Sequence, residues 1–322
     1  MKNNQLMIYG AYGYAGELMV REAVAQGLRP IIAGRDDEKL KPIATELSLE
    51  CRAFGVRNTG SNLQDISVLL NCAGPFSATA EPLARACLAQ QIHYLDITGE
   101  IDIFRKCHAL DEEARQQNVL ILPGAGTDIV PTDCLAAMLK EKLPVATRID
   151  LALSFGTNPS IGTVNTMIES FGKGGLIREG GMLKVVSNAF QMRKIPFQNK
   201  PQWAMTIPWG DVFTSGISTG VPDGAVYMAM PRMSIYMIRL TNPVKGILNT
   251  QFGQKITKRL AGWLMKKGPD AKALEAGRGQ FWGEAEAPDG EKLEMTMSTP
   301  NVYALTATVG IRIAQYLSLI HI

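Results

Sequence analysis

Residues 5–24 constrain this chain more than any other stretch. Gln5-Leu6-Met7-Ile8-Tyr9 reads as a short buried strand, and it runs directly into Gly10-Ala11-Tyr12-Gly13-Tyr14-Ala15-Gly16. Glu17 to Val24 then has the apolar spacing of a helix. A strand that turns into a helix over three glycines, here spaced G-x-x-G-x-x-G, has few uses. One glycine allows a sharp turn, the next lets backbone approach a ligand, and the third lets the helix pack close to its strand. The unpaired N–H groups at the helix start, with the helix dipole behind them, attract an anion. The arrangement points to the pyrophosphate of a dinucleotide. The competing reading is an ordinary glycine-rich turn.

Composition narrows the class. The 322 residues are 46% hydrophobic and 20% charged, which suits a globular protein with a sizeable core and about two domains. A net charge of +3, from 33 basic and 30 acidic residues, is too balanced to imply a nucleic-acid partner. No uninterrupted apolar run approaches the ~20 residues that span a bilayer, and the polar start Met1-Lys2-Asn3-Asn4 is not a secretory leader. Cys51, Cys72, Cys87, Cys107 and Cys134 are scattered without a C-x-x-C pair, and His93, His108 and His321 have no ligand spacing. The expectation is a reduced, cytoplasmic protein with no metal site.

Strands and helices alternate through the N-terminal half. Pro30 to Gly34, Cys51 to Phe54, Val68 to Cys72, His93 to Ile97 and Val119 to Leu122 read as strands. Glu38 to Leu47, Ala80 to Gln90 and Ile101 to Gln117 read as helices. The expected fold is α/β, an N-terminal doubly wound parallel sheet (Rossmann-like) over residues 1–135. Arg35, at the end of the second strand, falls where such a sheet meets the adenosine ribose. An arginine there pairs with a 2′-phosphate, so NADP is favoured over NAD. Asp36 and Asp37 weaken that case unless they serve to start the following helix. The carboxyl-end loops at Asn71 to Phe76 and Thr98 to Glu100 are placed to meet the nicotinamide ribose or the substrate; the alternative is loop chemistry alone. The predicted dinucleotide contacts are Gly10, Tyr12, Gly13, Tyr14, Gly16, Arg35, Asn71, Ala73, Gly74, Pro75 and Gly99.

Gly10 to Gly16, Ala33-Gly34-Arg35, Asn71 to Phe76 and Tyr94-Leu95-Asp96-Ile97-Thr98-Gly99-Glu100 together resemble the saccharopine dehydrogenase-like NADP-binding family. The branch they resemble is that of the trans-acting enoyl reductases and related oxidoreductases. Gly126-Thr127-Asp128-Ile129-Val130-Pro131-Thr132-Asp133 is similar to a Gly-Phe-Asp-x-Val-Pro-x-Asp segment of that branch, with Thr127 in place of phenylalanine. The resemblance covers most of the chain. It implies fold and cofactor and says little of substrate.

A change of period marks a second, α+β domain over residues 136–322, serving substrate binding or dimerisation. Thr132 to Lys142 reads as a helix leading into it, and Ile149 to Phe155 as a half-buried strand. Ser160, Thr163, Arg178, Asp211 and Thr219, with Glu100 from the first half, are the substrate-pocket candidates, though each also suits a turn or strand end. Thr241 to Lys267 sets basic residues among apolar ones, which fits peripheral membrane contact or, alternatively, a helix packed on its own protein with a solvated face. Trp282 to Ala287 and Lys292 to Met297 flank Asp289-Gly290 as a hairpin. Tyr303 to Leu317 is a last helix, expected back on the first domain. The end at Leu319-Ile320-His321-Ile322 lacks a cap and reads as a shortened frame.

The expected activity is transfer of hydride from NADPH to an enoyl or imine-like small molecule, with Asp128 or Asp133 handling a proton; Asp133 alternatively charges a helix start. No tyrosine has a lysine four residues on, which excludes the short-chain dehydrogenase pattern. The rivals are a non-catalytic NADP-binding sensor or accessory protein and a lipid-surface protein. A homo-oligomer is compatible with all three.

Overall fold

The computed structural model describes residues 5–156, 174–240, 242–244, 250, 253 and 275–320. They fall into two units. The first holds residues 5–98, 102–128 and 303–320; the second holds 99–101 and the described part of 129–302.

The first unit is a six-stranded parallel sheet in the order β3-β2-β1-β4-β5-β6. The strands are β1 Gln5–Tyr9, β2 Ile31–Gly34, β3 Cys51–Ala53, β4 Ile66–Asn71, β5 His93–Asp96 and β6 Ile121–Leu122. The chain starts at the centre, works outward to β3 and crosses back to β4, so the strand order reverses between β1 and β4. Ligands of doubly wound sheets bind at that switch point. Side chains alternate across the sheet and both faces are covered. Leu6 and Ile8 pack with α1 Tyr14–Ala25, α2 Asp37–Leu47 and α9 Val302–Ile320 on one face. Met7 and Tyr9 pack with α3 Phe76–Ala89, α4 Ile101–His108 and α5 Asp111–Gln116 on the other. Burial on both faces is why these strands are near-continuous apolar runs.

Local chemistry moves some predicted bounds. The helix expected from Ile101 to Gln117 breaks in two before Asp111-Glu112-Glu113, an acidic triplet that favours a fresh N-terminal turn. α3 begins at Phe76, straight after its N-cap Pro75. α1 begins at Tyr14, so Gly16 lies in its first turn rather than ahead of it. The last helix, α9, packs its Gly310 against Met19 of α1, where an added Cβ would lie 2.8 Å from the Met19 methyl. Thr308 donates to Glu22 Oε1 at 3.1 Å across the same seam.

The second unit is an eight-stranded sheet in the order β10-β11-β12-β7-β13-β14, with β8 joined to β12 and β9. Its strands are β7 Arg148–Ser154, β8 Gly175–Glu179, β9 Met182–Val186, β10 Met192–Pro196, β11 Pro201–Thr206, β12 Asp223–Ala229, β13 Gly279–Glu286 and β14 Lys292–Thr299. β7 and β12 run parallel, and β13 and β14 form the hairpin foreseen around Asp289-Gly290. Its helices are α6 Val130–Lys142, α7 Asp211–Thr219 and α8 Arg232–Leu240. α6 sits on Gly283 so closely that a Cβ there would lie 2.6 Å from Leu139. The division at Asp128–Ile129 puts the whole of α6 in this unit, ahead of the boundary expected at 135.

Candidate dinucleotide site

The glycine turn is shaped by close backbone packing. Gly10 has φ +85, a conformation that L side chains rarely adopt, and a Cβ on it would lie 2.7 Å from the Ala73 nitrogen. A Cβ on Gly16 would sit on the Gly10 carbonyl oxygen. Gly13 donates to that same oxygen at 3.0 Å and forms the N-cap of α1, whose first helical bond runs from Glu17 N to Gly13 O at 2.8 Å. The N-cap, Gly13, has no side chain to cap the helix. The Ala15 and Gly16 amides, ahead of the first helical bond, are therefore available to an anion, with the dipole behind them. Nothing wider than glycine fits at Gly10 or Gly16 without moving backbone, which is the constraint a phosphate cradle imposes.

The adenosine end is set by β2. A Cβ on Gly34 would lie 2.6 Å from the Tyr12 ring, so the ring is laid across the strand end. Arg35 follows at once, exposed, and makes no hydrogen bond or ion pair among the described residues. Asp36 is engaged elsewhere: its Oδ1 accepts from the Lys39 amide at 3.4 Å as the cap of α2, and its Oδ2 pairs with Lys39 Nζ at 3.0 Å. Asp37 Oδ2 pairs with Lys41 Nζ at 2.7 Å, so both acids of the pair that weakened the case for a 2′-phosphate are engaged with α2. Lys39 also stands 5.6 Å from the Tyr12 ring centre, which puts a second cation at this end.

Across the switch point, one buried carboxylate ties the strand ends together. Asp96 Oδ1 accepts from the Thr98 amide at 3.0 Å and the Gly124 amide at 2.9 Å. Its Oδ2 accepts from the Tyr94 hydroxyl at 2.9 Å. That hydroxyl accepts in turn from Asn71 Nδ2 at 3.1 Å. Asn71 Oδ1 takes the Ala73 amide at 3.0 Å, and Thr79 donates to the Ala73 carbonyl at 2.6 Å. Burial pushes the Asp96 carboxyl up to about 6, while the two amides and the tyrosine hold it down. The candidates Asn71 and Ala73 thus belong to a built structure, whereas Gly74 and Pro75 are exposed beyond it. Tyr94, Asp96, Thr79 and Lys39 were missed. The sequence signal was there: a tyrosine and an aspartate inside a strand buried on both faces demand partners.

The catalytic and substrate candidates divide. Asp128 closes the first unit, and burial pushes its carboxyl up to about 7, within reach of proton exchange at neutral pH. Gly99 is buried and Glu100 half-buried, both directly before α4. In the second unit, Asp133, Arg178, Asp211 and Thr219 come together around α7; the first three bond across elements and Thr219 bonds within α7. Thr132 donates to Asp211 Oδ1 at 2.7 Å and Ser218 to Asp133 Oδ1 at 3.0 Å, joining α6 to α7. The Arg178 guanidinium, buried, donates to the Val221 carbonyl at 3.1 Å, the Ser215 hydroxyl at 3.1 Å and the Val212 carbonyl. Thr219 bonds the Ser215 carbonyl. Burial raises the Asp133 carboxyl and lowers the Arg178 guanidinium. Ser160 and Thr163 lie outside the described residues. Among the described residues no cluster has the make-up of a metal site.

The fold and the glycine cradle define a dinucleotide-binding unit. Residues 6–122 match the model of the saccharopine dehydrogenase NADP binding domain, so NADP is the dinucleotide. A saccharopine dehydrogenase-like oxidoreductase of Rattus norvegicus is 25% identical over 231 residues, 63% of this chain and 53% of that protein. A Mycobacterium tuberculosis protein, provisionally described as a trans-acting enoyl reductase, is 28% identical over 205 residues, 57% of this chain and 44% of that protein. The chain spans about half the length of the curated relatives it matches. The apo saccharopine dehydrogenase (L-Glu forming) of Saccharomyces cerevisiae superposes with a TM-score of 0.65, covering 99% of this chain and 92% of that one at 10% identity, a likeness of fold.

Proposed function

We propose that this chain is an NADPH-dependent reductase that delivers hydride to an enoyl or imine-like small molecule. The observation that carries the proposal is the glycine-capped start of α1 at the switch point, with Arg35 at the end of β2 making no hydrogen bond or ion pair among the described residues. The α1 amides would hold the pyrophosphate, and Arg35 with Lys39 would hold the 2′-phosphate. Bound NADPH supplies the hydride. Asp128, with its carboxyl raised to about 7, is the group we assign to proton delivery. The curated relatives described as oxidoreductases, and one as an enoyl reductase, support this reading.

The test is titration of the purified protein with NADPH and NADH, followed by nicotinamide fluorescence, with Arg35→Ala alongside. NADPH binding that weakens in the variant by about tenfold or more, with NADH little changed, supports the assignment. Turnover with an enoyl or imine acceptor then separates an enzyme from a sensor. Binding of neither nucleotide would sink the proposal.

A second reading adds a place of action. Met233, Tyr236, Met237 and Leu240 are exposed along one face of α8, while Ile235 on the other face is buried. Residues 241–269, which follow, contain Lys245, Lys255, Lys258, Arg259, Lys266 and Lys267 and no aspartate or glutamate. We propose that this region meets an anionic lipid surface. A Caenorhabditis elegans relative, 24% identical over 158 residues, is described as a lipid droplet localized protein. Co-sedimentation with phosphatidylserine vesicles that salt abolishes would support the contact, and equal recovery with neutral vesicles would remove its electrostatic basis.

A further inference from the structure

We infer that Asp96 is a positioning residue for the nicotinamide half of the dinucleotide, acting through Tyr94, Asn71 and the backbone of the loops that follow β4, β5 and β6. The inference rests on the dinucleotide reading of the site. Asn71, Tyr94 and Asp96 are each 0% exposed. Register places Asn71 and Asp96 side by side at the carboxyl ends of β4 and β5. Tyr94, two residues before Asp96, points to the same side of the sheet. One carboxylate therefore reaches three separate pieces of irregular backbone. It binds the Thr98 amide after β5 and the Gly124 amide after β6. Through Tyr94 and Asn71 it reaches the Ala73 amide after β4.

The chain of bonds ends at the glycine turn. The Ala73 nitrogen is the atom that a Cβ on Gly10 would meet at 2.7 Å, so the loop after β4 and the phosphate turn share one close contact across the switch point. The Asp96 main chain adds a further tie, its carbonyl accepting from Ala125 N at 2.6 Å.

The strands do not need this network. β4, β5 and β6 already pair through parallel ladders. A buried carboxylate is costly, and apolar residues of similar size would satisfy a core more cheaply. What the network supplies is a single geometry for loops that regular hydrogen bonding does not fix. Those loops lie on the β4 side of the switch point, opposite the β2 end that carries Arg35. In a doubly wound sheet the two halves of a dinucleotide lie on these two sides. Asp96 should therefore govern one half and leave the other alone.

The test uses two ligands that differ in the half at issue: NADPH, and adenosine 2′,5′-bisphosphate, which carries only the adenosine end. Tyr94→Phe, Asp96→Asn and Asp96→Ala are compared with the unaltered protein, folding being checked by near-ultraviolet circular dichroism and thermal melting. Tyr94→Phe removes one hydroxyl and is the variant least able to disturb the fold. The expected result is a loss of NADPH affinity of about tenfold or more, ordered Asp96→Ala above Asp96→Asn, with bisphosphate affinity within about twofold of the original. Folded variants that bind both ligands normally, or lose both in parallel, overturn the inference and leave the network a core feature. If the unaltered protein binds the bisphosphate and not NADPH, the positioning role fails while the adenosine end stands. If it binds neither, the dinucleotide reading itself fails.

Discussion

The Tyr94 hydroxyl donates to Asp96 Oδ2 at 2.9 Å inside the parallel sheet, where neither residue reaches solvent. This pair puts an ionisable group at the centre of the first unit, and a pH dependence follows. The Asp96 carboxyl is raised to about 6, chiefly by burial. An unfolded aspartate titrates near 3.9. Between those values the folded protein holds the proton that the unfolded chain releases. Stability from this group is complete below the unfolded value and is lost as pH rises through 6. Tyr94, Cys72 and Cys107, the other titratable groups coupled to it, are themselves raised by burial and stay neutral. The melting temperature of the original protein, relative to Asp96→Asn, should therefore fall from pH 4.5 to pH 7, by an amount equivalent to at most roughly 3 kcal/mol. Parallel melting curves across that range would show that the carboxyl is not raised.

Gly16→Ala should abolish NADPH binding, because its Cβ would collide with the Gly10 carbonyl oxygen and spread the turn. Gly27→Ala is the matched control. Gly27, unlike Gly16, has a positive φ, +81, and a Cβ there meets nothing within 4 Å. It should cost about 1 kcal/mol of stability and leave nucleotide affinity unchanged. Fluorescence titration and melting of the two variants side by side check the distinction.

Lys39→Ala should weaken NADPH binding less than Arg35→Ala does, by about threefold to tenfold at low salt. Lys39 is shared with Asp36 at 3.0 Å and stands over Tyr12, whereas Arg35 has no competing partner among the described residues. The difference should shrink as salt is raised. An effect of equal size on NADH binding would show that Lys39 does not read the 2′-phosphate.

In the second unit, Arg178→Lys should destabilise the protein by about 2–4 kcal/mol, since one ammonium cannot reproduce the bonds to Val212, Ser215 and Val221. Thr132→Val should cost about 1–3 kcal/mol by removing the donor to Asp211. NADPH affinity measured well below the transition should hold for both. Loss of acceptor turnover with stability intact would instead return Arg178 to the substrate pocket.

Asp128→Asn should lower the turnover number and remove an inflection near pH 7 from the rate profile, with little change in NADPH affinity. An unaltered profile would reassign the proton donor.

Much of the first unit was legible in the chain because its information is local. Gln5 to Tyr9, the three glycines and the apolar strands carry their own periodicity, and β1 ran over the expected residues. Arg35 could be placed because its position depends only on where β2 ends. The break between α4 and α5 was less visible, since an apolar period continues across it and only the acidic triplet at Asp111 marks the new start.

Tertiary structure decided which polar groups act together. Asn71, Tyr94 with Asp96, and Gly124 are spread over three sequence segments, and only the register of three parallel strands brings them to one carboxylate. The same holds for Asp133, Arg178, Asp211 and Thr219, each of which resembles a ligand contact when read singly. Packing of α6, α7 and β8 gives them partners on these elements instead: Thr132 for Asp211, Ser218 for Asp133, and Ser215 for Arg178 and Thr219. The sequence by itself determined the sheet, the glycine turn and the preference for NADP, all set by residue spacing along one segment. The partners of buried charges were left to the fold, because hydrogen bonds between distant segments follow no sequence period.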